Sequence, residues 1–524
     1  MAGYPPPSAR SAPSGSPMAA QVATKVATMT AGNRPRSAAL DQRRVPYLEA
    51  LQEYASVRRS VFHTPGHIQG GGAHQRLNEL FGSDTLRLDL CTGLGTLDGV
   101  HGSALEQAEE LAAVAYGADR SWFLVNGSTS GNQIMVISVC HPGDVILTSR
   151  NTHKAVVSAL ILAGARPVYL PPELDPASHI AHGVTPASVE AGLDAYPEAK
   201  GVLIVSPTYY GTCCDVAGIA EVAHRHGVPL LVDEAWGPHL PFHPDLPAHA
   251  LALGADAAVT GTHKLIGAIT QASMLHVQGP LIDQDRIEVV SKLLLSTSPS
   301  CLLYASLDVA RMQMATEGRA LLQETIALAE EARSILSEHP RLSCIDKRLI
   351  GSYGVEAVDP TRLCVNVIRT GHTGYEVDRI LFDSYDVSVE MSDFANVLAN
   401  ITIGHDRASV GRLTSALLTI ADKLNDPAPP VAGFLESGLV HLPEQVFSPT
   451  EAFHAPQERV TLRESVGRVS AELAASYPPG IPVVVPGERL TAELVEYLAL
   501  QVEAGCRIVG PRDPALDTIQ VVCR

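Results

Sequence analysis

Aromatic residues are scarce in this chain: they make up 5% of its 524 residues, with two Trp and nine Phe, so aliphatic side chains must supply most of the core. No apolar run approaches the ~20 residues that a membrane-spanning helix needs. No Cys-x-x-Cys occurs either. The nine cysteines stand at 91, 140, 213, 214, 301, 344, 364, 506 and 523, and the adjacent Cys213 and Cys214 lack metal-ligand spacing. An odd, scattered set argues against a disulfide framework and against a metal site, and it predicts reduced thiols in a cytoplasmic protein. Positive charge is short as well. Lys and Arg number 38 against 56 Asp and Glu, a net charge of −18, which argues against nucleic acid or an anionic membrane as partner. Residues 1–40 contain no acidic residue and no continuous apolar stretch, and Ala, Ser and Pro dominate. They read as a disordered tail rather than a signal peptide.

What is present from residue 104 onward is alternation. A helical pattern at 104–117 leads to a strand at 121–125. A Gly/Ser/Thr turn at 126–131 precedes a helix at 132–141. Strands follow at 144–148, 166–170, 201–205, 229–233 and 257–260, with helices at 153–163 and 216–226. Short, continuously apolar strands between helices predict an α/β fold with a mostly parallel sheet covered on both faces. A helix is expected at 42–60, ordered loop at 61–103 and one long amphipathic helix at 301–338. Residues 362–425 switch to a smaller α+β pattern with strands near 363–368 and 386–391. The stretch Asp426–Gly433 reads as a linker. The expected division is a large domain over 41–320, a small α+β domain over 321–430 and a C-terminal domain over 431–524.

The strand 229–233 ends in Asp233-Glu234-Ala235, and about 30 residues later Val259-Thr-Gly-Thr-His-Lys264 follows another buried strand. A carboxylate and a lysine at strand ends are what a pyridoxal phosphate (PLP) enzyme needs. The lysine carries the cofactor covalently, and the carboxylate keeps its ring nitrogen protonated. Ala235 is small enough to lie against a ring face. Ser128, Thr129 and Ser130 follow a strand and open a helix, where free N–H groups and the helix dipole attract a phosphate. Ser and Thr are also ordinary helix caps, and a lone lysine is ordinarily a surface residue. The order in which these parts occur carries the reading. His153, just after strand 144–148, is placed to stack on the ring and move a proton. His263 and Thr262, beside Lys264, are candidate contacts to the phosphate.

Taken together, these stretches resemble the Orn/Lys/Arg decarboxylase family of fold-type-I PLP enzymes, in its shorter bacterial form without an N-terminal wing domain. The resemblance runs from about residue 45 to the C-terminus. It is carried by His63–His67, Asn126–Gln133, Arg150–Lys154, Asp233–His239, Thr262–Leu265, Thr297–Ser300 and Tyr477–Pro482. It implies an aspartate-aminotransferase-like large domain and PLP as cofactor. It further implies decarboxylation of a basic amino acid, arginine or lysine before ornithine, and a homodimer or larger homo-oligomer. Lys264, His153 and Asp233 would be catalytic, and Ser128, Thr129 and Thr262 would hold the phosphate. The Thr297–Ser300 turn would reach a neighbouring subunit's phosphate. Glu390 matches a family carboxylate that contacts the distal cation of the substrate. The chain departs from the family at Ile68, where Lys is usual, and at Trp236, where His is usual. These departures leave open an aminotransferase, lyase or oxidase acting on a modified basic amino acid. A scaffold without activity would be expected to lose Lys264 or Asp233, and both are present.

Overall fold

Seven strands form the central sheet: β1 (Arg120–Leu124), β2 (Val145–Ser149), β3 (Arg166–Leu170), β4 (Val202–Val205), β5 (Leu230–Glu234), β6 (Ala257–Thr260) and β7 (Ser273–Val277). Their order is β1-β7-β6-β5-β4-β2-β3. The run β6-β5-β4-β2-β3 is parallel throughout, and β7 is antiparallel to both of its neighbours. Strands β2, β4, β5 and β6 are buried along their whole length, which their apolar runs predicted. The computed structural model describes residues 40–57, 59–90, 102–423, 442–477 and 480–523. Contacts divide the chain into Met1–Asp41, of which two residues are described, and Gln42–Arg524. The expected tail, residue 40 apart, and the expected linker at 426–433 lie outside the described residues.

Most expected elements fall within a residue or two of their place, and the differences have physical causes. Helix Gly127–Val139 begins inside the expected turn at 126–131. Its Ser and Thr occupy the first helical turn, where such residues are as much at home as in a turn. Strand β7 carries no simple apolar run, because Ser273 and His276 interrupt it. The His276 ring is satisfied inside the sheet, 2.8 Å from Ser121 Oγ and 3.1 Å from Thr260 Oγ1, and Ser273 Oγ lies 3.2 Å from Ser128 Oγ on the helix above. Helices Pro186–Ala195 and Gln284–Leu294 were not expected. The stretch expected as loop at 61–103 contains helices Gln75–Phe81 and Ser83–Leu88, with 91–101 outside the described residues. The strand expected at 386–391 shortens to Met391–Ser392, since Asp386 takes a left-handed conformation at φ 53°.

Helix Cys301–Ser337 is unbroken over 37 residues. Tyr304 and Leu307 pack with Tyr47, Leu51 and Phe123 under the large sheet. Further along, Ala329, Ala332 and Leu336 join the core of a second, antiparallel sheet made by Ser343–Cys344, Arg362–Asn366, Asn396–Asn400 and Met391–Ser392. The boundary expected at 320 therefore falls within a helix shared by both cores. A third core gathers Ala474, Val484, Leu494, Leu498 and Ile519 in the C-terminal unit. This core meets the chain after β2 through Arg150, which has no exposed surface. The Arg150 guanidinium meets the buried Glu488 carboxylate at 3.1 Å and donates to the carbonyls of Pro482 and Val483 at 2.5 and 3.0 Å. No helix among the described residues is long and apolar enough to cross a membrane.

Candidate active site

The carboxyl ends of β1, β2, β4, β5 and β6 converge on one cavity of 610 Å³. In a parallel sheet, this is where strands stop and the chain turns, exposing side chains and helix N-termini together. Ser128, Thr129, His153 and Asp233 line it. So do Ala235, His263, Lys264 and Glu390. Two expected residues do not. Ser130 is buried and donates its hydroxyl back to the Gly127 carbonyl at 2.9 Å. Thr262 is fully buried, and its Oγ1 has no protein partner. Of the two family departures, Trp236 lines the cavity, whereas Ile68 sits half-exposed on its loop and does not.

Asp233 is the penultimate residue of β5 and is 4% exposed. Its Oδ2 accepts from Asn132 Nδ2 at 2.8 Å, and its Oδ1 accepts from the Ala235 N–H at 3.2 Å. Burial pushes its carboxyl above the usual range, and the Lys264 ammonium pulls it back. Among the described residues it forms no ion pair. A buried carboxylate held by two neutral donors is incompletely compensated unless a cation faces it. Lys264 lies in the short helix Thr262–Leu265, with its Nζ 3.8 Å from the centre of the Trp236 ring. Burial lowers its amine to about 8; Asp233 opposes that shift and the nearby Arg362 adds to it.

His153 caps helix Lys154–Ala163, and its Nδ1 accepts the Ala155 N–H at 3.2 Å. The ring proton therefore sits on Nε2. Burial, followed by the charges of Lys264 and Lys154, depresses the imidazole to about 3, so the ring is neutral. His263 has the reverse arrangement. Its Nδ1 donates to the Ala272 carbonyl at 2.8 Å, which leaves Nε2 as the acceptor. At the other wall, Thr129 is exposed on the first turn of helix Gly127–Val139. Gly131 lets that helix lie close on the sheet, since a Cβ there would come within 2.3 Å of Val259 Cγ2. The Thr297–Ser300 turn opens the long helix with Ser300 as N-cap, and Ser300 makes no side-chain cap hydrogen bond.

Several site residues escape a reading of the sequence. Asn132 is 1% exposed inside a helix, and a buried Asn at a poor helix position is the signal that marks it. Tyr209 and Tyr477 also line the cavity. Arg362, from the second sheet, is fully buried and stands 3.9 Å from the Trp236 ring centre. It contacts the Tyr209 carbonyl and Asn400 Oδ1, and Asn400 Nδ2 in turn donates to Glu390 Oε2 at 2.7 Å. Glu390 and Lys264 also line a second hollow of 390 Å³ beside the second sheet, so Glu390 stands where the two spaces meet.

A neutralisable buried lysine, a buried carboxylate in need of a cationic partner, and an open helix N-terminus fit PLP at its amine-reactive carbon, ring nitrogen and phosphate. Fold and site together define a fold-type-I PLP enzyme. The models for the Orn/Lys/Arg decarboxylase major domain and C-terminal domain match residues 45–409 and 434–510. The chain is 39% identical to an arginine decarboxylase of Bacillus subtilis over 92% of its length and 99% of the relative's. It is 38% identical to an arginine decarboxylase of Bacillus anthracis over 92% of its length and 98% of the relative's. The structure of the Escherichia coli constitutive lysine decarboxylase shares the fold, with a TM-score of 0.77 at 23% identity over 92% of this chain and 82% of that one. The chain belongs to the Orn/Lys/Arg decarboxylase family and is a PLP-dependent amino-acid decarboxylase.

Proposed function

We propose that the chain converts L-arginine to agmatine and CO2, with lysine as the second candidate substrate and ornithine third. The observation that carries this reading is the identity of 38–39% with arginine decarboxylases over nearly the whole chain. Bound PLP supplies an electron sink for the pair released when the Cα–carboxylate bond breaks. The chain's own residues would do the rest. Lys264 carries the cofactor, yields to the substrate amine and returns a proton from Nζ to Cα. Asp233, oriented by Asn132 and the Ala235 N–H, holds the ring nitrogen protonated. His153 faces the ring as a neutral imidazole with its proton on Nε2. Ser128, Thr129 and the free N–H groups of their helix turn hold the phosphate, with Thr262, Ser130 and His263 nearby. Glu390, at the mouth of the second hollow, is the carboxylate proposed to meet the substrate's distal cation.

The division into a large domain, a small α+β domain and a C-terminal domain is part of this reading, as is cytoplasmic placement. The homodimer is too, with a neighbouring Thr297–Ser300 turn reaching the exposed phosphate wall. The test is product analysis by mass spectrometry, with PLP-loaded protein offered arginine, lysine and ornithine separately. Agmatine from arginine, in excess over cadaverine and putrescine from the other two, supports the proposal. An oxo acid in place of an amine would direct attention to transamination and to Trp236.

A further inference from the structure

We propose that the C-terminal unit is a working part of the active site: its turn at Gly480 seats the imidazole of His153, and the buried Arg150–Glu488 pair fixes that turn. The inference rests on the reading of His153 as the residue facing the cofactor ring. Outside the C-terminal unit, the Nδ1 of the imidazole accepts the Ala155 N–H, and its ring lies 6.5 Å from that of Tyr209. Its other edge meets the C-terminal unit. Gly480 has φ +95°, and a Cβ built there would lie 3.2 Å from both Cδ2 and Nε2 of His153. The positive φ favours glycine here, and a side chain would press on the His153 ring by a few tenths of an ångström.

Two clamps bracket His153 in the sequence, and both come from the same unit. On one side, the Lys154 N–H donates to the Gly480 carbonyl at 3.1 Å. This satisfies a first-turn N–H that the helix itself cannot serve. On the other side, Arg150 is buried against Glu488 and the carbonyls of Pro482 and Val483. Glu488 also accepts the Val485 N–H at 2.7 Å, so the carboxylate ties the strand after the turn to the guanidinium. Moving the unit would strand a buried charge, which makes this docking sharply defined. Tyr477, at the start of the same turn, lines the cavity, and Lys154 Nζ sits 5.3 Å from its ring centre. The unit thus sets where the His153 ring stands over the cavity. Gly480, Arg150 and Glu488 are positioning residues.

The test is a double-mutant cycle of Gly480→Ala and His153→Ala. It is read by the PLP dissociation constant of the apoprotein and by the visible circular dichroism of the loaded protein, beside kcat. Gly480→Ala is expected to weaken PLP by about tenfold and to change the dichroism. In the His153→Ala background the same change should add less than about twofold. The inference is overturned if Gly480→Ala leaves both readouts unchanged, or if it weakens PLP equally with and without His153. Should His153→Ala alone change neither readout, the reading of His153 and this inference fall together. Glu488→Gln keeps the shape of the side chain and loosens the second clamp. Combined with His153→Ala it is read in the same way, and it decides the matter if Gly480→Ala does not fold.

Discussion

The places of Lys264, Asp233 and His153 in the cavity wall were legible because each stands at or just after the end of a run that reads as a strand, and strand ends are where a parallel sheet gathers its chemistry. Asn132 was not, since its role depends on a helix beginning at Gly127 and on which face of it meets β5. Replacing Lys264 by Ala should abolish turnover and remove the peptide around residue 264 from those that borohydride labels with PLP; full activity would sink the assignment. The neutral amine is the form that attacks an aldehyde carbon. With the amine lowered to about 8, PLP uptake by the apoprotein should quicken with pH and level off above about pH 8. Below that point the rise should be roughly tenfold per pH unit, and stopped-flow absorbance checks it. Asn132→Ala removes a donor from the buried Asp233 carboxylate. The loss is about 1.5–3 kcal/mol, or roughly ten- to a hundredfold in kcat, measured at saturating arginine.

At the scale of elements, the buried parallel strands announced themselves, while β7 did not. Its His276 and Ser273 break the apolar pattern, and distant partners explain why polar groups can sit there: Ser121 and Thr260 across the sheet for His276, and Ser128 on the neighbouring helix for Ser273. The same limit hid the start of helix Gly127–Val139, where Ser and Thr suit a turn and a first helical turn alike. That helix rests on the sheet at Gly131. Gly131→Ala should cost about 1–3 kcal/mol by overpacking against Val259, visible as a lower midpoint in urea unfolding. Because its first turn forms the proposed phosphate wall, PLP affinity should fall in the same variant. Unchanged affinity together with lost stability would separate that wall from the phosphate.

For the molecule as a whole, the sequence separates three patterns of residues, but not the way they share parts. One helix, Cys301–Ser337, enters two cores, and Arg362 reaches from the second sheet to the Trp236 ring in the turn after β5. Contacts between residues hundreds of positions apart leave no local trace. The clearest case is Arg150 with Glu488, 338 positions on. Glu488→Ala would leave a buried guanidinium without its carboxylate, at a cost of about 3–5 kcal/mol, and a urea titration of the apoprotein would measure it. A loss near zero would mean that the C-terminal unit docks without this pair.

The scarcity of tryptophan has a practical consequence. The chain holds two, at 122 and 236. Trp122 sits in the core with its Nε1 donating to Glu288, whereas Trp236 lines the cavity within 3.8 Å of the Lys264 amine. Replacing Trp122 by Phe would leave one tryptophan, placed in the cavity wall and selectively excited to the red of the tyrosines. Its emission would be quenched as PLP absorbs its energy and would respond again as substrate enters. The enzyme thus carries a built-in optical gauge of its own occupancy.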